Sequence, residues 1–168
     1  MTDRARPLLE ALTNSADTTG RVVGMSYMGE LALEEGDLAA AESWLKQAAA
    51  SALQLGGRAH PGYRRACDDL LDLARQRGDW EGARHWASEQ IQASHGHARS
   101  LAQARVSYGV LLMDLGELKN AVAELDAGVA SLTEVLGRKD AITVYARTWL
   151  ANALARSGFA VCASQAVM

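Results

Sequence analysis

Residues 28–41 read MGELALEEGDLAAA, and the order of small and apolar residues around Gly36 decides the fold. The same frame returns at Gly78-Asp79-Trp80, Gly116-Glu117-Leu118 and Gly158-Phe159-Ala160. Five residues after each glycine stands an alanine: Ala41, Ala83, Ala121 and Ala163. Seven and eight residues before it come Met28-Gly29, Leu70-Leu71, Tyr108-Gly109 and Leu150-Ala151, and four before it Ala32, Ala74, Leu112 and Leu154. Nine after it come Leu45, Ala87, Leu125 and Val167. Agreement at so many offsets marks an internal repeat with steps of 42, 38 and 42 residues.

Apolar positions recur at helical spacing on both sides of each glycine, so each side reads as an amphipathic helix. Glycine ends the first helix because it accepts the left-handed conformation that follows a helix C-terminus. Asp37 and Asp79, directly after it, suit the N-cap of the next helix in geometry and charge. The small residue five positions on lets the second helix come close to the first. A lone hairpin cannot bury its apolar face, so neighbours must stack. First helices are predicted at 18–35, 61–77, 97–115 and 140–157, and second helices at 37–55, 79–94 and 117–136. Pro61 fits the first turn of its helix, where its missing N–H is harmless. A short extra helix over 4–13, bearing Leu8, Leu9 and Leu12, precedes them, and residues 14–20 form the turn that leaves it. The chain thus divides into an N-terminal segment, 1–17, and a repeat region, 18–168, with repeats at about 18–56, 57–95, 96–137 and 138–168. The last repeat is incomplete. Only Phe159 to Met168 remain for its second helix, at most a short one with Ala163 and Val167 packing on Leu150 and Leu154.

Composition agrees with an all-helical chain. Of 168 residues, 49% are hydrophobic and only 5% aromatic, while 32 are alanine, which favours helix packed on helix. Seventeen basic against 20 acidic side chains, a formal charge of −3, argue against nucleic-acid binding, and no run of Lys or Arg opposes that. No window approaches 18 uncharged apolar residues and the N-terminus has no apolar leader, so neither a membrane nor export is expected. Two cysteines, Cys67 and Cys162, suggest no disulfide framework, which points to the cytoplasm.

Few residues offer chemistry. His95 and His97 are two apart, do not share a helix face, and lack a nearby third ligand. Glu81 and His85 could pair across one helical turn, but no orienting group or pocket accompanies them. Cys67 falls where a helix packs on its neighbour and has no flanking His or Lys to lower its pKa, so it reads as a buried small hydrophobe. Gly20, Gly24 and Gly29 match neither phosphate-loop spacing. No catalytic residue, metal or cofactor is expected, and the chain does not read as an enzyme. Trp44, Trp80 and Trp86 are core candidates.

The frame Met28-Gly29-Ala32-Gly36-Asp37-Ala41-Leu45-Ala48 resembles the tetratricopeptide repeat (TPR). The long period, with Leu55-Gly56-Gly57 before His60-Pro61 and Leu136-Gly137 before Asp140, looks like the kinesin-light-chain type. The resemblance runs from about residue 18 to the end and implies an all-α fold, a right-handed α-solenoid of about three and a half antiparallel hairpins. It also implies a concave groove lined by the first helices. Carried over position by position, the groove slots hold Val23, Ser26, Tyr27, Glu30 and Glu34 in the first repeat, and Arg65, Asp68, Asp69 and Asp72 in the second. The third offers Val106, Val110 and Met113, and the fourth Tyr145, Trp149 and Asn152. Where kinesin-light-chain repeats carry paired asparagines, this chain has Asp68-Asp69, Val106-Ser107 and Thr148-Trp149, so that family's ligand preferences do not carry over. Where chaperone-binding relatives place a cationic clamp, it has Ser26, Glu30, Asp69, Gln103 and Ser107, which excludes a chaperone's acidic tail.

The resemblance therefore implies a protein- or peptide-binding scaffold, with a sensory or regulatory module of a transcriptional or signalling system as the alternative. Tyr27, Glu30, Glu34, Asp68, Asp69, Asp72, Val110, Tyr145, Trp149 and Asn152 are the candidate groove residues. The acidic first half, Glu30, Glu34, Asp68, Asp69 and Asp72, would favour a basic peptide; a solvated helix face is the competing reading. For Trp149 the alternatives are aromatic anchor and core packing. An uncharged C-terminal stretch that leaves an apolar face in water points to a two-fold homodimer through about 140–168, with a longer parent protein as the alternative.

Overall fold

The computed structural model describes the backbone of residues 2–165 and the side chains of residues 5–158. Among the described residues the chain forms eight α-helices and no strand: α1 (Thr2–Thr13), α2 (Thr18–Glu34), α3 (Leu38–Gly56), α4 (Pro61–Arg77), α5 (Trp80–Ala93), α6 (Ala98–Asp114), α7 (Leu118–Leu136) and α8 (Ala141–Gln165). No helix among them is long and apolar enough to cross a membrane. The chain divides after Ala93 into two units, α1–α5 and α6–α8.

Three connections are built alike. At Gly36, Gly78 and Gly116 the backbone turns left-handed, with φ of +79°, +68° and +76°. The N–H of the next residue then reaches back to close the helix: Asp37 to Ala32 O, Asp79 to Ala74 O and Glu117 to Leu112 O, each at 2.9 Å. This bond satisfies a carbonyl that the helix terminus would otherwise orphan. Asp37 and Asp79 then cap α3 and α5 with their side chains, accepting from Ala40 N–H and Gly82 N–H at 3.0 Å. His60 Nδ1 caps α4 ahead of Pro61, and Asp140 Oδ1 caps α8 by accepting from Ile142 N–H at 2.9 Å.

The fourth glycine behaves differently. No hairpin turn forms at Gly158, and α8 runs through it to Gln165 as one helix of 25 residues. Phe159 follows it, where the acidic Asp37, Asp79 and Glu117 follow the other three. Glycine is carried inside the helix there at about 1 kcal/mol. The expected packing of Ala163 and Val167 on Leu150 and Leu154 involves side chains outside the described residues, as does Cys162.

In the first unit α2 pairs with α3 and α4 with α5, around Val22, Leu45, Leu70 and Leu73. Gly29 is a contact point: a Cβ there would meet Leu45 Cγ at 2.7 Å, so only glycine admits the leucine. In the second unit Gly109 has the same relation to Leu125, at 2.6 Å. At the equivalent positions of α4 and α5 the bulk is exchanged, with Leu71 and Ala87 both buried. The second unit pairs α6 with α7, and α8 packs on both around Val106, Leu112, Leu125 and Leu132.

Candidate surface on the first helices

Within the first unit α2 and α4 bring Tyr27, Glu30, Arg65, Asp68, Asp69 and Asp72 together. These residues fall at helical spacing on one side of each helix, while Leu70, Leu71 and Leu73 take the other side into the core. Arg65 organises the group. Its guanidinium lies over the Tyr27 ring, 4.6 Å from the centroid, and donates from Nε (3.1 Å) and Nη2 to Glu30 Oε1. Asp72 accepts from Arg75 Nη1 at 3.1 Å. Asp68 Oδ1 accepts from Nε2 of the buried Gln90 at 2.6 Å. Glu34 is exposed.

Asp69 is the unusual member. Its Oδ2 is buried without a hydrogen-bond partner, and so is Gln90 Oε1. Burial, then the charges of Glu30 and Asp68, push the Asp69 carboxyl up to about 7 against the opposing pull of Arg65. Burial and the neighbouring Asp72 also raise Asp68, with the Gln90 hydrogen bond opposing them. The group is therefore less negative than five carboxylates imply. Glu30 is paired with Arg65, Asp72 with Arg75, and Asp69 holds its proton into the neutral range. Sequence reasoning put Arg65 in a groove slot but missed its neutralising role, although a cation four residues before Asp69 on one helix was the available signal. Gln90, 22 residues from Asp68, had none.

The second unit departs further from expectation. Val110 is only 5% exposed and belongs to the core, as do Val106 and Met113. Ala146 and Ala153 of α8 share that core with them, and their small side chains let α8 come down on α6 and close over the slots that the resemblance left open. Ser26 of the first unit is also buried, its Oγ donating to Val22 O at 3.0 Å. Tyr145 is 58% exposed, and Asn152 is exposed on the same face. Trp149 takes a middle course: it packs partly on the core, edge-on to Tyr145 with ring centroids 6.1 Å apart.

The remaining candidates have structural explanations. Burial pushes the Cys67 thiol up to about 12, which suits an inert core residue. His95 and His97 flank a left-handed Gly96 between α5 and α6, and among the described residues no group of three His, Cys, Asp or Glu could hold a metal ion. His85 sits edge-on to Trp86 at 4.8 Å. Trp80, expected in the core, is exposed at the first turn of α5. A network not foreseen ties α4 to α5: Arg58 and Tyr63 both donate to Glu89, the latter at 2.6 Å, and these hydrogen bonds hold the Glu89 carboxyl low against its burial.

No protein-family profile matches the chain, and no curated protein sequence matches it. Solved structures do. BtubC (BKLC) from P. vanneervenii superposes with a TM-score of 0.78 at 16% identity, over 91% of this chain and 63% of that one, so this chain spans less than two thirds of its length. A putative kinesin light chain from P. anserina with nearly identical TPR-like repeats gives 0.74 at 17% identity, and a point variant of that protein 0.76 at 18%; each match covers 98% of this chain and 82% of the other. At such identities the likeness shows a fold, and that fold is a TPR-like array of helical hairpins of the kinesin-light-chain kind.

Proposed function

For a TPR-like repeat scaffold, a fold generally used for protein binding and typically without enzymatic activity, we propose that this chain binds a protein or peptide partner on its first helices. The α2–α4 surface selects a basic segment. The observation that carries this reading is Asp69, a half-buried carboxylate with one oxygen lacking any donor, set beside Asp68 and Asp72. A lysine or arginine side chain arriving there relieves the like-charge crowding, and screening by salt weakens its attraction. Tyr27, stiffened by Arg65, supplies an apolar platform, and Glu34 adds charge at the margin. In the second unit Tyr145, Trp149 and Asn152 recur at i, i+4 and i+7 and offer an aromatic contact of their own. Carrying Cys67 as a free buried thiol suits a reducing compartment such as the cytoplasm. The same proposal includes self-association through residues of about 140–168, supported by the exposed Val144 and Leu154 of α8.

The test is fluorescence anisotropy with a labelled lysine-rich peptide and a glutamate-rich peptide of equal length. The lysine peptide is expected to bind at low salt, weaken as salt rises, and lose at least tenfold in affinity to the Asp68→Asn/Asp69→Asn/Asp72→Asn variant, about 1.4 kcal/mol. Equal affinity for both peptides, or an unchanged affinity in the triple variant, refutes the basic-segment reading.

A further inference from the structure

Two carboxylates on the α2–α4 surface share one guanidinium. Arg65 Nε and Nη2 both donate to Glu30 Oε1, the first at 3.1 Å, while the guanidinium carbon lies over the Tyr27 ring. Asp69 stands one turn further along α4, where the Arg65 side chain can also reach it at i and i+4. Its Oδ2 is buried and has no donor. Glu30 holds the proton on Asp69 and Arg65 draws it off, so the three side chains act as one cluster. That cluster is short of one cation.

The place Arg65 occupies has the form of a receptor. Tyr27 and Glu30 lie at i and i+3 of α2, and both meet the same guanidinium. Both stay open to solvent, Tyr27 at 41% and the Glu30 side chain at 33%, and Arg65 itself is 46% exposed. A second cation can therefore reach the ring and the carboxylate once Arg65 moves aside. Val23, four residues before Tyr27 and also exposed, lengthens the apolar strip on which the methylene stem of an entering side chain can lie. A guanidinium suits this place better than an ammonium. Its planar, weakly hydrated face stacks on a ring while its edge donates to a carboxylate, whereas an ammonium is a compact and strongly hydrated point charge.

We propose that an arginine side chain of the partner peptide takes the place of Arg65 on Tyr27 and Glu30, and that Arg65 turns to Asp69. This rests on the basic-segment reading above and names the cation that the surface selects. The exchange keeps what Tyr27 and Glu30 already have and adds what Asp69 lacks. Before it, one cation serves two carboxylates; after it, each carboxylate has its own. Arg65 leaves one partner for another, so its displacement strands no charge. Asp69 is half-buried, so salt screens its new ion pair less than a pair in open water. A lysine entering instead would gain less from the ring.

Fluorescence anisotropy with arginine-rich, lysine-rich and glutamate-rich peptides of equal length tests the exchange. Wild type is expected to bind the arginine peptide about threefold more tightly than the lysine peptide, the worth of one exposed cation–π contact. Tyr27→Leu removes the ring and is expected to bring the two affinities together. Arg65→Gln empties the place, so no internal guanidinium competes, and the arginine preference is expected to widen to about tenfold. Circular dichroism checks that both variants keep their helices. An arginine preference that survives Tyr27→Leu, or one that vanishes in Arg65→Gln, overturns the exchange. Arginine and lysine peptides that bind wild type equally, and both more tightly than the glutamate peptide, also overturn it and leave the basic-segment reading standing. If neither basic peptide binds more tightly than the glutamate peptide, both readings fall.

Discussion

Asp69→Asn is expected to stabilise the protein at alkaline pH and to leave it unchanged near pH 4. In the unfolded chain this carboxyl gives up its proton near 3.8, whereas in the fold burial and the charges of Glu30 and Asp68 delay that to about 7. Between these values the folded state holds the extra proton, so stability falls as pH rises from about 4 to about 7 and then levels off. Three tenfold steps at about 1.4 kcal/mol each set a ceiling near 4 kcal/mol. Asp69 is half-buried, and solvent screening brings the expected penalty to about 1–2 kcal/mol at pH 8. Asparagine keeps the shape and removes the charge. Urea unfolding followed by circular dichroism at several pH values from 4 to 8 gives the variant-minus-wild-type difference, in which the titrating groups not coupled to Asp69 cancel. The difference should open from near zero to about 1–2 kcal/mol in the variant's favour. A difference that is flat with pH, or a variant less stable at pH 8, refutes the account of Asp69 as a carboxylate buried without compensation.

Two further outcomes follow from the fold. Gly116→Ala should lower stability by about 1 kcal/mol because φ there is +76°, whereas Gly158→Ala inside α8 should be neutral or raise it by as much; thermal melts that show the same loss in both would restore a turn at residue 158. Cys67, raised to about 12, should resist a thiol-specific chromogenic reagent at pH 8 until denaturant is added, measured in a Cys162→Ser background, and reaction at the rate of a free thiol would show that the α4–α5 core opens readily.

The helices were legible because their limits are local. A glycine that turns left-handed and an aspartate that caps the next helix lie side by side in the chain, and α2 at Thr18–Glu34 and α6 at Ala98–Asp114 fall within a residue of the ranges read from sequence. Gly158 shows the limit of that reasoning, since the glycine is present but the acidic residue that follows the other three is not. The candidate surface was legible only as a set of positions. Its charge state depends on Arg65 reaching Glu30 across 35 residues and on Gln90 meeting Asp68 across 22, contacts that packing creates and spacing does not reveal. Val110 was misread because exposure of a first-helix slot depends on how close the next first helix comes, and Ala146 and Ala153 let α8 come very close.

The exchange of bulk between Gly29–Leu45 and Leu71–Ala87 also bears on how the chain avoids misassembly. Repeats of similar sequence risk pairing the wrong halves while they fold. If α2 took α5 as its partner, Gly29 would face Ala87 and leave a hole about the size of a leucine side chain, a loss of about 2–5 kcal/mol. If α4 took α3, Leu71 and Leu45 would compete for one space, at about 1–3 kcal/mol. Together the two penalties are a large fraction of the marginal stability of a small domain, so shape favours each hairpin's own halves. Transplanting a single helix between these repeats should fail where transplanting a whole hairpin succeeds.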